Sequence, residues 1–350
     1  MSDNLLHELD YLPEGILDCD ASELHQYLQG PSLIHLKGRR EAPLFVSVLL
    51  HGNEPVGWQA IQQFLRRYQD EEMPRCLSLF IGNISAAKEG LRRLDGQPDY
   101  NRIWCSPEQG EMTAEHRMAE QIVTIMRDRK PFASIDIHNN TGINPHYGCV
   151  NRADNQFFWL ATYFSRTVVY FIRPKGVQTG AFAEFCPAVT VECGQPGQRY
   201  GVEHAAEFLD ALINLVELPD KPVPAHDIDV FHTVAIVKVP EKINFCFPTT
   251  ALDDSLDCQI QFINDLDHMN FRELSPRTIL ADVKDDSETI RLEVIDDDGK
   301  DRWNDFFEIK DARLYTLQAV MPSMLTLDER VIRQDCLCYL MERMPLPNKS

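Results

Sequence analysis

Nowhere in these 350 residues do apolar side chains run to the length of a membrane span; the longest candidates, such as Leu44–Leu50, are strand-sized. A spanning helix, which needs about 18 or more such residues, is therefore not expected, nor is a membrane partner. The first twenty residues lack both a basic start and an apolar stretch. They carry Asp3, Glu8, Asp10, Glu14, Asp18 and Asp20 instead, so a secretory signal is not expected. Positive charge is scarce: 34 Lys and Arg stand against 54 Asp and Glu, a net of −20. A surface of that sign repels phosphate backbones and argues against nucleic acid as a partner. The ten cysteines show little paired spacing, which fits reduced thiols in the cytoplasm better than a disulfide framework. Repeats and low-complexity tracts are absent.

What remains is ordinary globular composition, 44% hydrophobic and 25% charged. At roughly 150 residues per domain the length predicts two domains. Residues 1–40 read as an irregular or helical lead-in, with Asp20 or Ser22 capping a short helix over Ala21–Gln29 that Gly30-Pro31 stops. From there to about residue 215, apolar strand-length runs (Leu44–Leu50, Leu77–Ile81, Ala133–Ile137, Val168–Ile172, Ala188–Glu192) alternate with helical patterns. The helices expected are Val56–Tyr68, Ala114–Arg129, Gln156–Ser165 and His204–Leu218. Strands apolar almost throughout belong in a parallel sheet covered on both faces, so residues 41–222 read as an α/β domain. The segment from Leu218 to Pro224, with three prolines, reads as a boundary. Beyond it, short runs at Ala235–Val239, Ile260–Ile263, Ile290–Ile295, Phe306–Ile309 and Leu337–Met341 predict a smaller β-rich domain over 226–350. Its stretch Asp282–Asp311 holds 12 acidic and 5 basic residues, read as a solvated face rather than a docking surface.

Three strand ends hold the residues able to do chemistry. Leu44–Leu50 runs into His51-Gly52-Asn53-Glu54-Pro55, Ala133–Ile137 into His138-Asn139-Asn140, and Ala188–Val191 into Glu192-Cys193-Gly194. In open α/β sheets ligands collect beyond the carboxyl ends of the strands, where three such sites can converge. A turn can aim positions i and i+3 at one point, so His51 and Glu54 can share a metal ion with His138. Two histidines and a glutamate form the ligand set of hydrolytic zinc sites. Read from the residues alone, this metal site and a set of ordinary buried or capping polar groups both stay open.

Asp136, two residues before His138, is expected to hold the free imidazole N–H of a ligand histidine, His51 across the site, or else to act as a cap or ion-pair partner. Glu192, ending a buried strand, suits a general base whose pKa burial would raise; a structural carboxylate is the alternative. Asn101 and Arg102 offer a fork for a carboxylate, and Arg93 a cation for a carbonyl oxygen, unless they are merely solvated. Cys336 and Cys338 read as core cysteines; His116, His146, His204 and His232 lack partners at ligand spacing. Cys193 should point away from the site.

Taken together, His51-Gly52-Asn53-Glu54, Tyr100-Asn101-Arg102-Ile103-Trp104, Asp136-Ile137-His138-Asn139-Asn140-Thr141 and Val189-Thr190-Val191-Glu192-Cys193-Gly194 resemble the succinylglutamate desuccinylase/aspartoacylase family, a branch of the zinc carboxypeptidase fold. The segments occur in the family's order, and the resemblance covers roughly residues 40–215. It implies a mixed or parallel sheet flanked by helices, followed by a β-rich C-terminal domain. It also implies one Zn²⁺ per chain on His51, Glu54 and His138, with Glu192 as general base. Arg93 or a neighbour would polarise the amide carbonyl, while Asn101 and Arg102 grip a substrate carboxylate. The implied chemistry is hydrolysis of an N-acyl amino acid. Two departures bear on the substrate. The family loop usually reads Asp-Leu-Asn-Arg-x-Phe where this chain has Asp99-Tyr100-Asn101-Arg102-Ile103-Trp104, with Arg93 about one residue further from Asn101 than the family spacing. Phe182 stands about where aspartoacylases place a carboxylate-binding arginine, so it is expected to line the pocket and to disfavour N-acetylaspartate. A carboxypeptidase-like peptidase acting on short peptides is the second reading, and a catalytically silent ligand-binding homologue the third. The oligomeric state, a homo-oligomer included, stays open.

Overall fold

Residues 5–107, 110–248, 258–284 and 290–345 are described by a computed structural model of the chain. They divide into two compact units: Met1–Asn139 with His146–Val230, and Asn140–Pro145 with Phe231–Ser350. The change of unit falls at Val230–Phe231, beyond the proline-rich segment, and a six-residue piece shortly after His138, Asn140–Pro145, belongs to the second unit.

The first unit is built on strands β1 (His7–Leu9), β2 (Ser32–Leu36), β3 (Gly38–Val48), β4 (Met73–Ile81), β5 (Ala133–His138), β6 (Tyr147–Val150), β7 (Thr167–Tyr170) and β8 (Ala188–Glu192). Their order across the sheet is β1-β2-β4-β3-β5-β8-β6-β7. The central strands β4, β3, β5 and β8 are parallel, while β2 on β4 and β6 on β8 run antiparallel. The sheet is thus mixed around a parallel centre. Every residue of β5 and β8, and Leu44–Val48 of β3, is buried, as strands covered on both faces must be.

The covering helices are α1 (Val56–Arg66), α2 (Ile84–Lys88), α3 (Ala114–Arg129), α4 (Asn155–Thr162), α5 (Gln178–Phe182) and α6 (Arg199–Asn214). In α1, Trp58, Ile61, Phe64 and Leu65 recur at three- and four-residue spacing and are buried. In α3, Met118, Ile122 and Met126 do the same, behind an N-cap in which Thr113 Oγ1 accepts from the His116 N–H. The bounds of α3 agree with the sequence pattern, whereas α6 begins and ends several residues before His204–Leu218.

The lead-in differs from expectation. It supplies β1 and β2 and only short 3₁₀ turns, Ile16–Asp18 and Ala21–Gln26, in place of the helix expected over Ala21–Gln29. The short strand β6 also lacked a sequence signal of its own.

The second unit carries β9 (Asp229–Lys238), β10 (Phe245–Cys246), β11 (Ile260–Phe262), β12 (Ile279–Val283), β13 (Glu293–Asp296), β14 (Phe307–Lys310), β15 (Arg313–Thr316), β16 (Met321–Ser323) and β17 (Cys338–Arg343). Strand β9 pairs antiparallel with β13 and with β17, which pairs with β16; β10-β11-β12-β15-β14 form a second sheet. Val237, Phe262, Leu292 and Leu337 are at the centre of its core. Cys336 and Cys338 are buried there as expected, but Cys246 and Cys258 form a disulfide, which corrects the expectation of thiols alone. Among the described residues no helix is long and apolar enough to cross a membrane.

Candidate metal centre

Strand β3 delivers the chain into a tight turn. The Glu54 N–H donates to the His51 carbonyl at 3.2 Å, so positions i and i+3 fold to one side. Gly52 is required in that turn: a Cβ would lie 2.2 Å from the Ala87 nitrogen, where only a bare backbone fits. The Gly52 N–H is answered by the Arg92 carbonyl at 3.1 Å. Strand β5 ends at His138, and β8 ends beside it, with His138 and Glu192 as register partners.

The three expected ligands are brought together and buried, His51 at 4%, Glu54 at 7% and His138 at 3% exposure. Glu54 sits between the rings, with Oε1 2.8 Å from His51 Nδ1 and Oε2 2.7 Å from His138 Nδ1. The outer nitrogens face carboxylates, His51 Nε2 at 3.1 Å from Asp99 Oδ1 and His138 Nε2 at 2.7 Å from Asp136 Oδ2. Ser47 Oγ donates to the other oxygen of Asp136 at 2.7 Å. Arg92 donates through Nη2 to Asp99 Oδ2 at 3.0 Å, and its Nη1 is 3.8 Å from Glu54 Oε1.

Charge sets the direction in which each group of this cluster is shifted. Burial and Arg92 push the His51 imidazole down, but Glu54 and Asp99 outweigh them and leave its pKa raised. Burial opposes a charged His138 too, yet Asp136 and Glu54 hold it well above the ordinary imidazole range. Burial alone would raise Glu54, but His51 and His138 keep it far below the usual carboxylate range. Asp99 is likewise held low against burial, first by Arg92 and then by His51.

The donor set fits a divalent ion. Both inner nitrogens are Nδ1 and share one carboxylate, while each outer nitrogen has a carboxylate to receive its proton. Three carboxyl groups, Glu54, Asp99 and Asp136, surround the two imidazoles, with Arg92 on Asp99 and near Glu54, and a negative environment of this kind favours a dication.

Several expectations are corrected. Asp136 pairs with His138, its neighbour two residues on, because alternation in β5 puts both on one face; His51 takes Asp99 from the loop between α2 and α3 instead. Arg93 is occupied locally, donating to the Gln97 carbonyl at 2.7 Å. Its neighbour Arg92 is the buried one, held by Asp99. Phe182 does not line an open pocket. It is fully buried, stacked on Phe45 with centroids 4.3 Å apart and set edge-on to Trp104, where apolar packing outweighs any contact with solvent. Asn101 is buried with Nδ2 3.4 Å from His138 Nε2, and half-buried Arg102 donates to the Asn101 carbonyl at 2.8 Å.

The sequence reading missed Asp99, although it stands within the Asp-Tyr-Asn-Arg segment. It also missed Asn139, whose only signal was its place directly after His138. The Asn139 N–H donates to Glu54 Oε2 at 3.2 Å, its Oδ1 accepts from the Val56 N–H at 3.1 Å, and its Nδ2 donates to the Gly194 carbonyl at 3.0 Å. One side chain thus ties all three strand ends together.

The family model of the succinylglutamate desuccinylase/aspartoacylase catalytic domain matches residues 43–218, which is 176 of 350 residues. Among solved structures, the chain is similar to the succinylglutamate desuccinylase of Chromobacterium violaceum, at TM-score 0.55 and 15% identity over 92% of this chain and 91% of that one. It is similar to the succinylglutamate desuccinylase/aspartoacylase of Rhodobacter sphaeroides, at TM-score 0.58 and 13% identity over 90% and 89%. Murine aminoacylase 3 gives TM-score 0.54 and 14% identity over 88% and 97%. At such identities the likeness is one of fold. Curated protein sequences contain no significant match.

Proposed function

The chain belongs to the succinylglutamate desuccinylase/aspartoacylase family, and we propose that it is a zinc-dependent hydrolase cleaving the amide bond of an N-acyl amino acid. The observation that carries this reading is the sharing of Glu54 between the Nδ1 atoms of His51 and His138, with each outer nitrogen held by its own carboxylate. His51, Glu54 and His138 would hold the ion. A bound zinc-type ion supplies Lewis acidity, which lowers the pKa of water toward about 7 and polarises a carbonyl.

The chain's own residues do the rest. Glu192, beside His138 at the end of β8, takes a proton from the attacking water and returns it to the leaving amine nitrogen. Arg92, fixed by Asp99, is the cation near which charge developing on the carbonyl oxygen is stabilised. Asn101 and Arg102 bind the carboxylate of the amino-acid part, a charge-assisted contact that orients the amide. Asp99 and Asp136 hold the ring orientation of the two histidines by accepting hydrogen bonds from their outer N–H groups. The names of the structural neighbours, desuccinylase and aminoacylase, support an N-acyl amino acid over a peptide. A direct test compares kcat/KM for a panel of N-acyl amino acids with that for dipeptides on zinc-loaded protein. Faster cleavage of the N-acyl amino acids is expected; faster cleavage of the dipeptides would overturn the reading in favour of a peptidase.

A further inference from the structure

A carboxamide can turn either its oxygen or its nitrogen toward a ligand, and a carboxylate is bound only by the nitrogen end. Asn101 therefore needs something that chooses its orientation. The choice is made by another segment: the backbone N–H of Gln178 donates to Asn101 Oδ1 at 3.1 Å. An N–H can be answered only by the oxygen, so the NH₂ group is left on the side of the metal centre, 3.4 Å from His138 Nε2.

Gln178 is itself pinned. Its side chain is fully buried, and its Nε2 donates to Ser134 Oγ at 2.8 Å. Ser134 lies on β5, on the same face as Asp136 and His138, so the residue that orients Asn101 is tied to the strand carrying a ligand. Its Oε1 is buried without a hydrogen-bond partner among the described residues, a cost accepted at this position. The residues before it are built onto the same loop. The Trp104 N–H donates to the Gly176 carbonyl at 3.0 Å. Gly176 has φ +77°, and a Cβ there would stand 2.5 Å from the Arg102 oxygen.

We propose that Gln178 is a positioning residue for substrate capture: through its backbone N–H it holds the Asn101 carboxamide with the NH₂ group toward the substrate carboxylate. The inference rests on the reading above, in which Asn101 and Arg102 bind that carboxylate.

A pair of substitutions separates the N–H from the side chain. Gln178→Ala removes the side chain and keeps the N–H; Gln178→Pro removes both. Proline suits this first helical position, and Val177 before it already has the extended φ −76°, ψ 150° that precedes a proline. Relative to Gln178→Ala, Gln178→Pro is expected to raise KM for an N-acyl amino acid about tenfold, the scale of one hydrogen bond to a charged group. KM for the analogue whose carboxylate is replaced by a carboxamide should move far less, a split that a general loss of structure would not give. In an Asn101→Ala background the proline–alanine difference should vanish. Equal KM for the two variants, or an undiminished difference without Asn101, overturns the inference.

Asn101→Asp tests the same point without proline. It keeps an oxygen for the Gln178 N–H but offers no NH₂, and should raise KM at least as much as Asn101→Ala. Wild-type KM in Asn101→Asp overturns the inference. Wild-type KM in Asn101→Ala instead overturns the carboxylate-binding reading, and the inference falls with it.

Discussion

His138 and Glu192 are register partners on adjacent parallel strands, so an imidazole and a carboxylate leave the sheet on one face and at one level. Mixed chemistry at that edge follows from strand register alone: one side chain suits a metal ion, its neighbour suits a proton. Glu192→Gln should therefore keep the fold and the metal but lose at least about 10²-fold in kcat, the usual scale for a general base. A glutamine enzyme of near wild-type turnover would place the base elsewhere.

Arg92 and Arg93 are adjacent in sequence but not in role. Arg92 contacts Asp99 and approaches Glu54, whereas Arg93 serves its own loop. Arg92→Leu leaves two buried carboxylates short of their cation and should lower both Tm and kcat/KM, the latter about 10²-fold or more. Arg93→Leu should change kcat/KM less than about threefold. Steady-state kinetics on the two variants decides this, and the reverse ranking would restore Arg93 to the site.

The protonation of the cluster sets a pH dependence. His51 and His138 have pKa values raised above the ordinary 6.5. Their contribution to the metal-free fold is complete below that value and is lost as pH rises through the raised ones. Glu54 lies below its ordinary 4.5, so its contribution is present above 4.5 and lost as pH falls through the lowered value. A divalent ion needs neutral imidazoles and competes with their protons. The gain in Tm from zinc over chelator should thus be larger near about pH 8 than near about pH 5.5. Thermal unfolding at both values checks it; an equal or larger gain at the acidic value contradicts the arrangement.

The place of the site was legible because buried strands announce themselves as apolar runs, and His51, His138 and Glu192 each stand where such a run stops. Glu54 was legible through the turn spacing. The partners were not. Asp99 reaches His51 from 48 residues away through a loop without periodicity, so no local rule links them. Arg92 and Arg93 differ only in which way the loop turns. Phe182 was placed in the pocket by its position in the resemblance alone, and it packs in the core against Phe45 and Trp104 instead. In the fold, β6 (Tyr-Gly-Cys-Val) carries a glycine where an apolar run would mark a strand, and β1 and β2 lay in a lead-in read as irregular or helical.

The central claim is that His51, Glu54 and His138 hold one catalytic divalent ion. Its most direct test is the metal content of the purified protein and of His51→Ala and His138→Ala, measured by elemental analysis alongside hydrolysis of an N-acyl amino acid. About one zinc-type ion per wild-type chain is expected, with activity lost on chelation and restored by zinc, and no tightly held ion in either variant. Stoichiometric metal in both variants, or full activity in the chelated enzyme, would contradict the account.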